Sequence, residues 1–304
     1  MALDTDTLIE RRRLKRRLGI WRIVAILALV AVVVVAAGAQ SGFEGRFGPH
    51  VARMTLDGVM VEDRELLEKI HKVAEDDNAK ALIVRIDSPG GTTVGGETIY
   101  LALREVAEKK PVVALVGTLG ASAAYMAACA SDRIYVRETS LTGSIGVLVQ
   151  SPQIVGLLEK LGISMNEIKS SPLKAAPSIF QPIDEKSREA MAMIVNDTYA
   201  WFKDLVADRR KLKPEELAVV ADGRIFTGRQ ALDLKLVDAI GGEREARTWL
   251  AAEKDIADSL PVTDIDKKPG DGLMADLVGS VVQKINTAEW LTLDGTWAVW
   301  HPSL

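Results

Sequence analysis

Along residues 51–262, short and nearly continuous apolar segments alternate with amphipathic ones, and this alternation constrains the fold more than any other feature. A strand covered on both faces reads apolar almost throughout, which is the signature of a parallel sheet packed between helices. Val51–Leu56, Ala81–Ile86, Val112–Val116, Arg133–Val136, Ile145–Gln150 and Ser164–Ile168 read as strands. Arg64–Val73, Gly95–Lys109, Ala121–Ala130, Ile154–Leu161, Pro214–Ala221, Gly228–Leu234 and Glu243–Lys254 read as helices. A longer helix is predicted over Ser187–Arg210, with an apolar stripe of Met191, Ile194, Val195, Tyr199, Phe202 and Val206. The expected class is α/β with a largely parallel sheet. A chain that is 48% hydrophobic but only 5% aromatic fits that class better than a β-sandwich.

Ahead of this body stands a basic head. Residues 1–22 carry seven basic and three acidic side chains, so the net charge of −4 for the chain leaves −8 for the remainder. An acidic body is a poor nucleic-acid binder, and the basic cluster has another explanation. Ile23–Ala39 contains seventeen residues without a polar side chain. As a helix it would span about 26 Å, and Leu18–Arg22 would complete a bilayer crossing with Arg22 snorkelling and Trp21 in the interface. The positive-inside rule then places residues 1–22 in the cytoplasm and everything beyond the 23–39 anchor outside it. This gives a single-pass membrane protein with its N-terminus in the cytoplasm and its main domain on the other side. A cleaved signal peptide ending near Ala37-Gly38-Ala39 is the rival reading, although the apolar run exceeds a usual signal core. Residues 40–50 form a Gly-rich linker, residues 51–266 the main domain, and residues 267–304 a tail with Trp290, Trp297 and Trp300. The tail reads as a helix packed on the body or the membrane, or as a segment entering a groove.

Much familiar chemistry is missing. One cysteine, Cys129, excludes an internal disulfide framework, and His50, His71 and His301 lack metal-ligand spacing. No G-x-S-x-G elbow, H-E-x-x-H, Walker A or G-x-G-x-x-G motif occurs, so no cofactor or metal is expected. Two glycine-rich strand exits remain. Asp87-Ser88-Pro89-Gly90-Gly91 suits a turn whose backbone N–H groups approach a ligand. In Gly117-Thr118-Leu119-Gly120-Ala121-Ser122, Ser122 falls where a small-residue helix begins, as a nucleophile or as an ordinary N-cap. A serine without histidine needs another base. A neutral lysine can serve if it is desolvated. Lys174, in a mostly apolar stretch, is the best candidate, with Lys169 as rival. Ser171-x-x-Lys174 matches S-x-x-K of β-lactamases, but S-D-N and K-T-G are absent.

Together, Asp87–Gly91, Ala121-Ser122-Ala123-Ala124-Tyr125, Leu141-Thr142-Gly143-Ser144-Ile145-Gly146-Val147, the Lys174 segment, Ala221–Ala231 and Leu236-Val237-Asp238 resemble the signal peptide peptidase A family in its short, single-catalytic-domain form. The resemblance covers about Val51 to Val262. It implies a Clp protease/crotonase-like spiral of ββα units, preceded here by the transmembrane helix. It further implies Ser122 as nucleophile, Lys174 as general base, Ser144 as the group orienting the lysine, and the amides of Gly91 and Ala123 as oxyanion donors. Ser-Ala-Ala stands where many members have Ser-Gly-Gly. The implied enzyme is a homo-oligomeric serine endopeptidase hydrolysing apolar peptides, including signal peptides left in the membrane. The alternatives are a crotonase-like acyl-CoA enzyme and an inactive membrane scaffold.

Overall fold

The computed structural model describes residue 17 and residues 20–28, 48–266 and 297–299. Residues 20–28 are helical with exposed side chains. The rest of the expected anchor, residues 29–39, lies outside the described residues, as do most of the basic head, the start of the linker and nearly all of the tail. Among the described residues no helix is long and apolar enough to cross a membrane.

Strand β1 (His50–Met60) leads to helix α1 (Arg64–Glu75), capped by Asp63, whose carboxylate accepts from the N–H groups of Glu65 and Leu66. Strand β2 (Ala79–Thr92), helix α2 (Thr93–Lys109) and strand β3 (Val112–Ala121) follow. After α3 (Ala123–Ala128) come β4 (Arg133–Val136), β5 (Leu141–Gly143) and α4 (Val155–Lys160). The remainder is α5 (Glu185–Arg210), α6 (Pro214–Val220), β6 (Ile225–Thr227), α7 (Gly228–Asp233), β7 (Ala239–Ile240), α8 (Glu243–Lys254) and β8 (Val262–Asp264). A last strand, β9 (Trp297–Val299), pairs antiparallel with Gly90–Thr92 of β2.

These strands form one mixed sheet in the order β6-β5-β3-β2-β1-β8, with β4 joining β3 to β7. The apolar halves of β1, β2 and β3 are parallel and pair residue by residue from Val51↔Ala81 and Leu82↔Val112. Successive side chains of a strand point to opposite faces, which explains the unbroken apolar runs. Leu82, Val84 and Ile86 join the core beneath α1, α2, α3 and α5, whereas Ala81 and Ile83 meet Ala246 and Leu250 of α8 on the other face. Arg53 locks this second layer, donating to Asp264 on β8 and to Glu243 at the start of α8.

The strands do not stop where the glycines begin. β2 continues through Ser88–Thr92 and β3 through Leu119–Ala121 because each finds a new neighbour. β3 pairs with β4 over Val113–Val116 and with β5 over Leu119–Ala121. Register shifts between Ile86 and Ser88, and between Asp57 and Val59, mark the bend between the two halves. The expected turn at Pro89 is therefore extended strand. The expected strands at 145–150 and 164–168 are absent. The sheet edge is already taken by β5 and β6, and the 164–168 segment runs in the open with Ile168 fully exposed. The apolar stripe on α5 is used only at its carboxyl half, where Phe202, Leu205 and Val206 are buried, while Ile194 is exposed.

At α8 the N–H of Gly242 donates to the Glu245 carboxylate, which holds that group's pKa down from 4.5 to about 2. A depressed carboxylate pKa adds stability above the ordinary value, and this is lost as pH falls through the folded one. Wild-type stability should therefore decline between pH 4.5 and about 2 in part through this group. Glu245→Gln should remove that part of the slope, as read from thermal unfolding midpoints across the window.

Candidate active site

The local fold at Ser122 follows from the change of neighbours along β3. The strand ends at Ala121, helix α3 begins at Ala123, and Ser122 alone makes the corner with φ 58° and ψ −119°. That backbone conformation is uncommon for a residue bearing a Cβ and costs on the order of 1–3 kcal/mol unless its surroundings impose it. Here they do. The Ser122 N–H donates to Gly143 O at 2.8 Å, and its carbonyl accepts from the Met126 N–H at 2.9 Å. Helix α3 is buried along its whole length, and α2 approaches so closely that a Cβ on Gly96 would sit 2.9 Å from Ala123 Cβ. The Ser122 side chain occupies the N-cap position but makes no capping bond, and the residue is 1% exposed. The capping explanation of this serine is therefore not the one the geometry supports.

Ser144 lies beside it. β5 runs parallel to the end of β3, pairing Ala121 with Gly143, so Ser122 and Ser144 each follow directly on adjacent strand ends. Ser144 also has a positive φ, 53°, is 6% exposed, and donates its N–H to Arg224 O at 2.8 Å. On the other side of β3, Ser88 pairs with Gly120. Two residues further along the two strands stand Gly90 and Ser122, with Gly91 next. Gly90 has φ 104°, and a Cβ on Gly91 would fall inside the backbone of Met60 on β1. The sheet thus brings Ser122, Ala123 and Ser144 together at the carboxyl ends of β3 and β5, the usual position for sites in α/β sheets, while Gly91 lies on the neighbouring strand just past the Ser88–Gly120 pair and is itself paired with Met60 and Ala298.

Hydroxyl groups that sequence reading passed over hold this region. Ser88 Oγ donates to Gly58 O at 2.6 Å and accepts from the Gly90 N–H at 3.1 Å. Thr142 Oγ1 donates to Gly120 O at 2.7 Å, and Ser140 Oγ to Gly117 O at 2.5 Å. Asp87 Oδ1 accepts from the Leu119 N–H at 3.1 Å. The available signal was the interleaving of Ser and Thr with Gly in these segments, since each hydroxyl meets a carbonyl that a glycine leaves accessible.

The lysines differ. Lys169 Nζ stands 2.5 Å from Glu167 Oε2, and that carboxyl lies below its ordinary range because Lys169 and then Ser178 bond to it. Lys169 is thereby committed to an ion pair. Lys174 sits in a turn, with its N–H donating to Ser171 O at 3.1 Å and Ala175 beside it at φ 58°. Its side chain is exposed in the single chain rather than buried as expected, because residues 162–184 leave the sheet and form neither helix nor strand. No hydrogen bond among the described residues joins Lys174 to Ser122 or Ser144.

Other nucleophiles are disfavoured. Cys129 is buried, which pushes its thiol up to about 11 and keeps it protonated. His50 is buried near Asp76 at the opposite end of β1, and His71 pairs with Glu105. Among the described residues no cluster of potential ligands could hold a metal ion.

Residues 104–257, about half the chain, match the model of peptidase family S49. A Synechocystis protein named "Putative protease slr0021" is 39% identical over 202 residues, covering 66% of this chain and 73% of that protein. An Enterococcus faecium protein named "Putative signal peptide peptidase SppA" is 28% identical over 267 residues, covering 83% of this chain and 76% of the relative. The Arabidopsis thaliana protein "Serine protease SPPA, chloroplastic" is 29% identical over 243 residues, covering 78% of this chain but only 36% of the longer relative.

Proposed function

Since the chain belongs to peptidase family S49, in the short signal peptide peptidase A form with a single catalytic domain, we propose that it is a membrane-tethered serine endopeptidase working through Ser122 and Lys174. The observation that carries this reading is the buried Ser122 at a strained strand–helix corner, with Ser144 at the end of the adjacent strand. Strain of that kind persists where function requires a side chain to stand at one spot.

In the proposed reaction Lys174 takes the Ser122 proton as Oγ attacks the peptide carbonyl. The Gly91 and Ala123 N–H groups receive the oxyanion, worth about 3 kcal/mol per donor. Lys174 then protonates the leaving amine and activates water against the acyl-enzyme. Ser144 orients the amine. The lysine must be uncharged for this, so it must be shielded from water. The arm bearing it also exposes Leu157, Leu161, Ile163, Leu173 and Ile179, apolar surface that a second copy or a bound peptide would cover. This supports a homo-oligomeric enzyme in which assembly desolvates Lys174. The substrates in this reading are apolar peptides, including signal peptide remnants. The 23–39 anchor holds the enzyme in a bacterial inner membrane, with the domain, a ββα spiral of the Clp type, on the extracytoplasmic side.

Lys174→Ala is expected to lower kcat/KM on a fluorogenic apolar peptide in detergent by about 10^3-fold or more. Paired Leu157→Glu and Leu161→Glu changes should split the oligomer on size exclusion and remove activity together. A monomeric variant with full activity would overturn the assembly requirement. Robust activity in the lysine variant would overturn the base.

A further inference from the structure

The end of the sheet opposite the candidate site has its own character. Pro49, Ala79, Pro111, Ile256, Ala257 and Leu260 line an open groove of about 550 Å3 at the amino ends of β1, β2 and β3, with Ala79 and Ile256 buried in it. Lys80, Lys109, Lys110 and Lys254 rim it, against Asp77 and Asp255. The lining is thus net positive on a body whose charge beyond the basic head is −8. None of the four lysines pairs with the two acidic residues of the rim. Lys80 Nζ donates to the Asp77 carbonyl, and Lys110 Nζ to the carbonyls of Val73 and Asp76. Lys254 Nζ rests over the Trp249 ring at 5.5 Å, and Lys109 reaches Glu105 only at 3.5 Å. Lys80, Lys109 and Lys254 are exposed.

Pro49, which lines this groove, is also where the chain enters the domain. Only nine residues, 40–48, lie between it and Ala39, the last residue of the apolar run, and the ten steps from Ala39 to Pro49 reach at most about 36 Å. Within the anchor reading proposed above, on which this step rests, the groove therefore cannot lie far from the lipid. Lysine ammonium groups around an apolar floor complement anionic headgroups at the edge of acyl chains.

We infer that this lysine-rimmed groove docks the domain on an anionic lipid surface, with the amino ends of the strands against the membrane. β3 runs from Val112 at that edge to Ala121 beside Ser122, a rise of at most about 30 Å. Docking therefore fixes the height of the candidate site above the bilayer, and a substrate tail must extend that far to be cut.

The test uses the full chain with vesicles of phosphatidylcholine alone and of phosphatidylcholine mixed with phosphatidylglycerol, read by flotation and by amide hydrogen exchange. Exchange over residues 77–81, 109–110 and 254–257 should slow on the anionic vesicles only, and return to its neutral-vesicle rate at high salt. Lys80→Glu with Lys109→Glu and Lys254→Glu should reduce the anionic-over-neutral preference about tenfold or more while leaving peptidase activity in detergent unchanged. The corresponding glutamine variant should give a smaller loss in the same direction. Flotation with both vesicles but equal exchange on both would overturn the docking and leave the anchor standing. Protection already present in detergent would assign the groove to residues 40–48 or to another copy, and would also overturn it. Flotation with anionic vesicles alone would support the docking while removing the anchor, and flotation with neither removes both.

Discussion

Ser122→Ala should reduce peptide hydrolysis to background, a loss of about 10^4-fold or more in kcat, while leaving the size-exclusion profile and the helical circular dichroism unchanged. The companion variant Ser122→Gly should be equally inactive yet more stable than the wild type, by about 1 kcal/mol, since glycine adopts the corner conformation without a steric penalty. An inactive but stabilised protein is the signature of a serine held under strain for chemistry. A structural serine predicts the reverse, stability falling with little effect on rate. A serine-reactive probe that labels the wild type and neither variant would complete the assignment, and would set the enzyme apart from an acyl-CoA hydratase or an inert scaffold.

Gly91→Ala should have the largest effect on folding of any single-methyl addition near the site. The new Cβ would overlap the Met60 backbone, and backbone on a paired strand cannot swing aside as a side chain can. The expected cost is about 3 kcal/mol or more. For a domain of this size that lowers the unfolding midpoint by roughly 6–12 °C. Any protein that folds should have β1 and β2 pushed apart and the Gly91 N–H displaced, with kcat reduced about 10^2-fold or more. Thermal melts and kinetics on the same preparation check both halves. Unchanged melting would mean that the strands separate freely there, and unchanged kcat would remove Gly91 from the oxyanion site.

The parts of this protein legible in its sequence are those written in local physics. β4 and α8 have the boundaries expected from apolar content and charge pattern, and α1 begins at Arg64 just after an aspartate cap. The two glycine-rich segments around Gly91 and Ser122 could be seen as strand exits in the sequence, but each alone reads equally as an ordinary turn, and it is the pairing of β2 with β3 that sets them side by side. β6, β7 and β8 were not legible, being two or three residues long and stabilised by partners far away in the chain. β8 is held to β1 by Arg53 and Asp264, a pair no periodicity could suggest. The extension of β2 through Pro89 was masked because proline and glycine normally mark a turn, and here adjacent strands supply pairing that overrides the local preference. The surroundings of Lys174 belong to a third category. Whether that amine meets water depends on what covers its arm, which the amino-acid order of one chain does not encode locally.

The bend in β2 and β3 separates two kinds of material within one sheet. Below it, valine, leucine and isoleucine interlock. Above it, Ser88, Ser140 and Thr142 fasten bare backbone through single hydroxyls. Methylene-scale variation below the bend can therefore retune melting without touching the corner at Ser122. Removing one of these buried oxygens would leave a backbone carbonyl unpaired, so above the bend stability and the geometry of the candidate site should change together. Below the bend durability can be tuned alone, whereas above it durability and site geometry are tied to the same hydrogen bonds.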